Sequence, residues 1–247
     1  MKYYKVLLAL VSLILVGLPG RLDGFQDPTD IRLMEIPLDL EKVPLTRALS
    51  SIAVRANKEF LVFGVEEVVE NGQEPLVSAH IDGSSTVREA LTQVVASVPG
   101  YTFEVVAPHL IDVFPKDARS DPSDLLNVNV SKLELVNVAP SNFLNNPARF
   151  IPELKAALTK GVPQGCSIGP GLFDKAPVVT VHVASSTVRQ DLNLVSEASI
   201  ASAQNGGIAY GWIYQREKFP SKTFPAHIWR VHDVWQPDKL DSRRQLP

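Results

Sequence analysis

The sequence predicts an α+β protein of two tandem small βαβ–βαββ domains, each a short sheet packed with two helices. Three observations carry that expectation. The phrase "SSTVREAL" (Ser84–Leu91) returns as "SSTVRQDL" (Ser185–Leu192). The strand-like segments around the two phrases agree in kind and order. Upstream, "LDLEKVPLTRAL" (Leu38–Leu49) lies without gaps over "LELVNVAPSNFL" (Leu133–Leu144). One short match can arise by chance, but two in the same order and setting point to a duplicated unit.

The first copy opens with Leu38, Leu40 and Val43 on a strand. Leu45, Ala48, Leu49, Ile52, Ala53 and Ala56 then follow at helical spacing, with Pro44 tolerable in the first turn. A strand is expected at "KEFLVFG". Another is expected at "LVSAHI", where Val77, Ala79 and Ile81 alternate with Ser78 and His80. The repeated phrase is a helix start. Val87, Ala90, Leu91, Val94, Val95 and Val98 form one apolar face, and Thr86 with Glu89 forms a capping box that satisfies free amides of the first turn. "YTFEVV" and "HLIDVF" complete the copy as two strands joined at Ala107–Pro108.

The second copy repeats this order. Its first helical stretch is longer and broken by Pro147 and Pro152, and "ELKAALTKG" carries it to a stop at Gly161. Val179, Val181 and Val183 alternate in the strand before the repeated phrase, and Thr187 with Gln190 restores the capping pair. "IAYGWIY" and "HIWRVHDVW" match the closing strands, with a longer loop between them. The copies span residues 31–115 and 126–234. Between them lies a polar, proline-bearing linker, 116–125, and a polar tail follows over 235–247.

Composition narrows the function. The 247 residues are 45% hydrophobic and 21% charged, enough to bury a core, and the net charge of −3 with no basic cluster gives no nucleic-acid surface. The single cysteine, Cys166, excludes an intrachain disulfide and a thiolate metal cluster. Lys2 and Lys5 precede an apolar run of 13 residues, Val6–Leu18. That run is short of the roughly 20 residues of a membrane span and suits the core of a signal peptide. Residues 1–24 are therefore expected to be a signal peptide or an uncleaved anchor, and the rest to be exported: periplasmic, secreted or held at the inner membrane.

"IPLDLEKVPLTRALSSIAVRANKEFLVF" and "VSAHIDGSSTVREALTQVVASVPGYTFEV" resemble the short N-terminal domain shared by secretins and TonB-dependent transporters, and the related C-terminal domain of FecR-type regulators. The resemblance is best over residues 31–115; the second copy joins it through the internal repeat. It implies an envelope-facing, non-catalytic interaction domain with a protein partner. Pore formation and iron-chelate transport are not implied.

Candidate chemistry is sparse. His80 and His182 sit on matched strands opposite the valines, without local carboxylate or imidazole partners that would make a metal or catalytic site. His227 and His232 fall on opposite faces of one strand, and His109 lies in a turn. Cys166, in the irregular glycine-rich stretch "GVPQGCSIGPGLFD", has no assignable activator. No catalytic residues, cofactor or metal ligands are expected. One group stands out as a possible ligand or partner contact: Tyr210, Trp212 and Tyr214 on one strand face, with Trp229 on the next strand. They are either a stacking platform for a sugar or peptide, or the packing face of the second copy. The expected function is protein–protein contact in the cell envelope; the alternative is a small-ligand or glycan-binding protein that uses those rings and the glycine-rich loop.

Overall fold

The computed structural model describes residues 28–30, 33, 37–56, 61–158, 164–166, 178–203, 208–218 and 227–234. The expected signal segment, most of the glycine-rich stretch and the tail lie outside them. No helix among the described residues is long and apolar enough to cross a membrane.

The fold is α+β. The first copy runs β1 (Leu38–Pro44), α1 (Leu45–Arg55), β2 (Val62–Val69), β3 (Leu76–Ile81), α2 (Val87–Ser97), β4 (Tyr101–Ala107) and β5 (Leu110–Pro115). A short β6 (Asn129–Val130) precedes the second, which runs β7 (Leu133–Val138), α3 (Pro140–Asn145), α4 (Pro152–Leu158), β8 (Gln164–Cys166), β9 (Val179–Val183), β10 (Ser186–Thr187), α5 (Val188–Ala203), β11 (Ala209–Glu217) and β12 (His227–Val234). Proline sets the break between α3 and α4, because Pro147 opens a 3-10 turn and Pro152 opens α4.

The duplication extends to backbone detail. β1 pairs antiparallel with β3 and β7 with β9, and each pair slips register at the same place, between Leu40 and Val43 and between Leu135 and Val138. Inside each slip one residue takes a left-handed conformation: Lys42 at φ 50° and Asn137 at φ 54°. Neither is glycine. A hydroxyl on the neighbouring strand answers each amide, Lys42 N–H donating to Ser78 Oγ (3.1 Å) and Asn137 N–H to Thr180 Oγ1 (3.3 Å). Both capping pairs form as well. Glu89 N–H donates to Thr86 Oγ1 (3.2 Å) and Gln190 N–H to Thr187 Oγ1 (3.4 Å). The side chains return the contact at Thr86 N (2.7 Å) and Thr187 N (2.8 Å).

The halves do not stand as separate domains with separate sheets. Their remaining strands join one six-stranded sheet of order β4-β5-β2-β11-β12-β8. The first half supplies an antiparallel β4–β5 pair with β2 parallel to β5, and the second supplies β11–β12 with β8 parallel to β12. The joint between them, β2 with β11, is parallel from Gly64 opposite Trp212 to Val69 opposite Glu217. Strand order is thus kept from one half to the next while strand direction reverses. The relation is a half-turn about an axis lying in the sheet across its strands, combined with a shift of three strands along that axis, and such a turn exchanges the sheet's faces. α1 and α2 accordingly cover one face through Phe63, Val65, Ile111 and Val113, and α3 and α5 cover the other through Tyr210, Trp212 and Tyr214.

Two apolar clusters follow, but the first recruits Ile200, Ala203, Ala209 and Ile213 from the second half. The expected linker is built in too. It forms 3-10 turns at Ala118–Ser120 and Leu125–Asn127, buries Ala118, Asp124 and Leu126, and is tied by Asn127 Nδ2 to the carbonyls of Ala118 (2.7 Å) and Asp121 (2.8 Å). β2 explains why the sequence suggested separation. Its second half, Glu66–Val69, carries two adjacent carboxylates that hide a central strand.

Candidate functional site

The joint between the halves gathers most of the buried ionisable groups. On the α5 face, Glu66 of β2 and Asp112 of β5 are fully buried. α5 lies across them. Arg189 Nη2 donates to Glu66 Oε2 at 2.5 Å, and Asn193 Nδ2 donates to Asp112 Oδ2 at 2.9 Å. Asn193 also accepts from Trp212 Nε1 at 2.7 Å, so one amide locks α5, β5 and β11 together. The Arg189 guanidinium stacks over the rings of Phe114 (5.3 Å) and Trp212 (5.9 Å). Asp124 completes the group from the former linker, its Oδ1 accepting Leu126 N–H at 2.8 Å while Oδ2 stands 3.9 Å from Arg189 Nη2. Arg216 Nε stands 3.5 Å from Glu66 Oε1, and its Nη1 donates to Asp121 at 3.0 Å.

Two glycines permit this closeness. A Cβ on Gly64 would fall 2.3 Å from Asp112 Oδ1 and 2.5 Å from the Trp212 ring; one on Gly211 would fall 2.3 Å from the carbonyl oxygen of Phe63.

The opposite face carries a second polar group. Gln215 Nε2 donates to Glu67 Oε2 (2.6 Å) and Glu74 Oε1 (2.9 Å), and Arg230 Nη1 also donates to Glu74 Oε1 (3.0 Å). Glu217 closes the end of the joint by accepting the amides of Asn71 (2.7 Å) and Gly72 (3.0 Å) in the β2–β3 turn. A recess of about 120 Å³ lies here, lined by Val69, Gly72, Glu74, Gln215, Glu217, Ile228 and Arg230. Apart from Glu217, carboxylates come from the first half and the linker while their donors come from the second.

Burial governs how these acids titrate. Loss of water raises Glu66 to about 8, with Asp124 beside it pushing the same way and Arg189 opposing. Burial raises Glu67 to about 7 and Asp112 to about 6. Each of Glu66, Glu67, Asp112 and Asp124 keeps one oxygen without a hydrogen-bond partner. Sequence reasoning missed all four. The available signal was "VEEVVE", charges inside an apolar run that belongs to a central strand.

The structure does bring Tyr210, Trp212, Tyr214 and Trp229 together, but inside the second core, at 3%, 0%, 0% and 5% exposure. Tyr214 stacks on Trp229 at 4.4 Å, and its hydroxyl meets His227 Nδ1 at 2.8 Å. These rings are the packing face of the second half, and they offer solvent no stacking platform. His80 meets Asp39 at 2.5 Å on the exposed β1–β3 ribbon, which raises the imidazole above its ordinary range. His182 occupies the matching place beside Glu134. His109 lies in the β4–β5 turn, and Cys166 sits on β8 at the register position of Trp229. The side chains of Cys166 and His232 lie outside the described residues. No group of three or more His, Cys, Asp or Glu among the described residues is placed to hold a metal. No family model, curated protein or solved structure matches the chain.

Proposed function

We propose that this chain is a non-catalytic, exported module of the bacterial cell envelope that works by protein–protein contact, as its resemblance to the secretin and TonB-dependent short domain implies. The observation that carries the reading is the state of β4. The strand is paired on one side only, by β5, and no strand among the described residues lies along its outer side. Phe103 and Val105, which belong to the helix-covered face, stay half-buried, and Val106 is 40% exposed. β11 is the same strand in the second copy, and its rings are buried once β2 lies alongside. An extended segment of a partner, added to β4, would satisfy the outward amides and carbonyls and cover those side chains. The ligand-binding alternative loses its aromatic residues to the interior.

A photo-crosslinking residue at Val106, compared with one at Val54 on α1 (57% exposed), tests this in the cell envelope. The expected result is a discrete adduct to one protein from position 106 and none from position 54. Equal adducts from both positions, or none from either, would overturn the proposal.

A further inference from the structure

The most heavily loaded point of the joint is the meeting of Glu66 and Asp124. Both carboxyl groups lie against one nitrogen, Arg189 Nη2, at 2.5 Å from Glu66 Oε2 and 3.9 Å from Asp124 Oδ2, and Asp124 raises the range of Glu66. Glu66 Oε1 and Asp124 Oδ2 are also the oxygens without a hydrogen bond, each with only a guanidinium nitrogen nearby, Arg216 Nε at 3.5 Å and Arg189 Nη2 at 3.9 Å. Four fully or almost fully buried carboxylates, Glu66, Glu67, Asp112 and Asp124, share the joint with one comparably buried cation, Arg189. Arg216 is 22% exposed and its Nη1 is committed to Asp121. Two ionised carboxylates side by side in such a place repel, whereas a single proton between them supplies the hydrogen bond both oxygens lack.

We propose that a proton on Glu66, donated to the neighbouring Asp124, latches the two halves together, and that its loss in alkaline medium releases β2 from β11. Among the described residues, charged and titratable groups surround the pair, Asp112 of β5 sharing Arg189 with it. Arg189 reaches from α5, Arg216 and Tyr214 lie on β11, Tyr101 reaches from β4, His227 lies on β12 beside Asp124, and Asp121 stands behind Arg216. Arg189 holds Glu66 Oε2 in either state, so the proton acts on the other oxygen. The raised range of Glu66 places the transition above neutrality. The sign is that of an acid protonated in the closed form: closure is favoured below the transition and lost as pH rises through it. Release would free the parallel edges Gly64–Val69 and Trp212–Glu217 while leaving the β1–β3 and β7–β9 ribbons intact.

Amide hydrogen exchange of the purified protein, corrected for intrinsic rates, reads this directly. Between pH 7 and about 8, above the ranges of Glu67 and Asp112, the amides of residues 64–69 and 212–217 should lose protection by up to about tenfold, the slope of a one-proton step, and level off at higher pH, while the ribbon amides hold theirs. Glu66→Gln keeps an acceptor for Arg189 and offers Asp124 a permanent N–H. It should flatten the slope, and Asp124→Asn should do the same. A wild-type profile flat in pH, a loss shared equally by the ribbons, or an unchanged slope in either folded variant would overturn the latch. If neither variant folds, the wild-type profile decides alone, since only a loss confined to the joint and continuing from pH 7 to about 8, past the ranges of Glu67 and Asp112, supports it.

Discussion

Arg88 and Arg189 are the same letter of the same repeated phrase, yet their surroundings are opposite. Arg88 is half exposed on α2, its Nε 3.9 Å from Asp30, whereas Arg189 is 5% exposed on α5 and bound to a fully buried carboxylate. The strands that follow diverge in parallel. Phe103 on β4 stays half-buried, and Trp212 at the matching place on β11 is sealed. Local sequence is not the cause, because capping pair, helix start and strand pattern are held in common. The difference is a neighbour. β2 of the first half lies along β11 and under α5, and no described strand does this for β4. Burial in a duplicated protein is thus set by where the copies meet.

The comparison breaks most visibly at the rings. Trp212→Ala empties a core site and leaves Asn193 without its indole donor, and should cost about 4–5 kcal/mol in denaturant unfolding. Phe103→Ala should cost about 1–2 kcal/mol, since that ring is only partly buried. Equal losses would mean that β4 is covered as fully as β11. The arginines come next. Arg189→Met leaves the buried Glu66–Asp124 pair without its nearest cation and should cost about 3 kcal/mol, against about 0.5 kcal/mol or less for Arg88→Met.

Acidity gives a smaller and separate effect. Glu67 and Asp112 titrate higher in the folded chain than in the unfolded one, at about 7 and about 6. The stability they confer is complete below about pH 4 and is lost as pH rises through that range. The melting temperature should therefore fall by about 5 °C between pH 5 and pH 8, and Glu67→Gln should flatten the fall; a melting point that rises over this interval contradicts the assignment. The smallest effects should be alike in both copies. Thr86→Ala and Thr187→Ala each remove a helix cap and should cost about 1 kcal/mol. A marked inequality between them would show that the joint reaches into the caps.

Much of the fold was legible in the sequence. Periodicity gave the strands and helices of both copies, the capping pairs marked two helix starts, and Pro147 and Pro152 marked a real break. Three things were hidden. β2 continues through Glu66 and Glu67, and adjacent carboxylates argue against a central strand unless their cations, which come from more than a hundred residues later, are already in view. β8 is only three residues long and lies in a glycine-rich stretch without alternation. The linker was polar because Asp121 and Asp124 serve the joint, not because it is loose. The four aromatic rings do lie together, in the core; period alone does not say whether a strand face meets a helix or water.

The half-turn with its three-strand shift, which relates the two copies, contains no closing rule. Applied again, it would set the strand equivalent to β2 in one molecule against β4 of the next and lengthen the sheet without end, the geometry of a fibre. Aligning Tyr101 with Tyr210 places Thr102 where β11 has Gly211, the residue whose missing side chain admits the backbone of Phe63. A methyl and a hydroxyl therefore stand at the outer edge in the one spot where polymerisation by repeating the inner contact needs bare backbone. The threonine opposes that one contact between copies and leaves the edge of β4 open to a partner strand set differently.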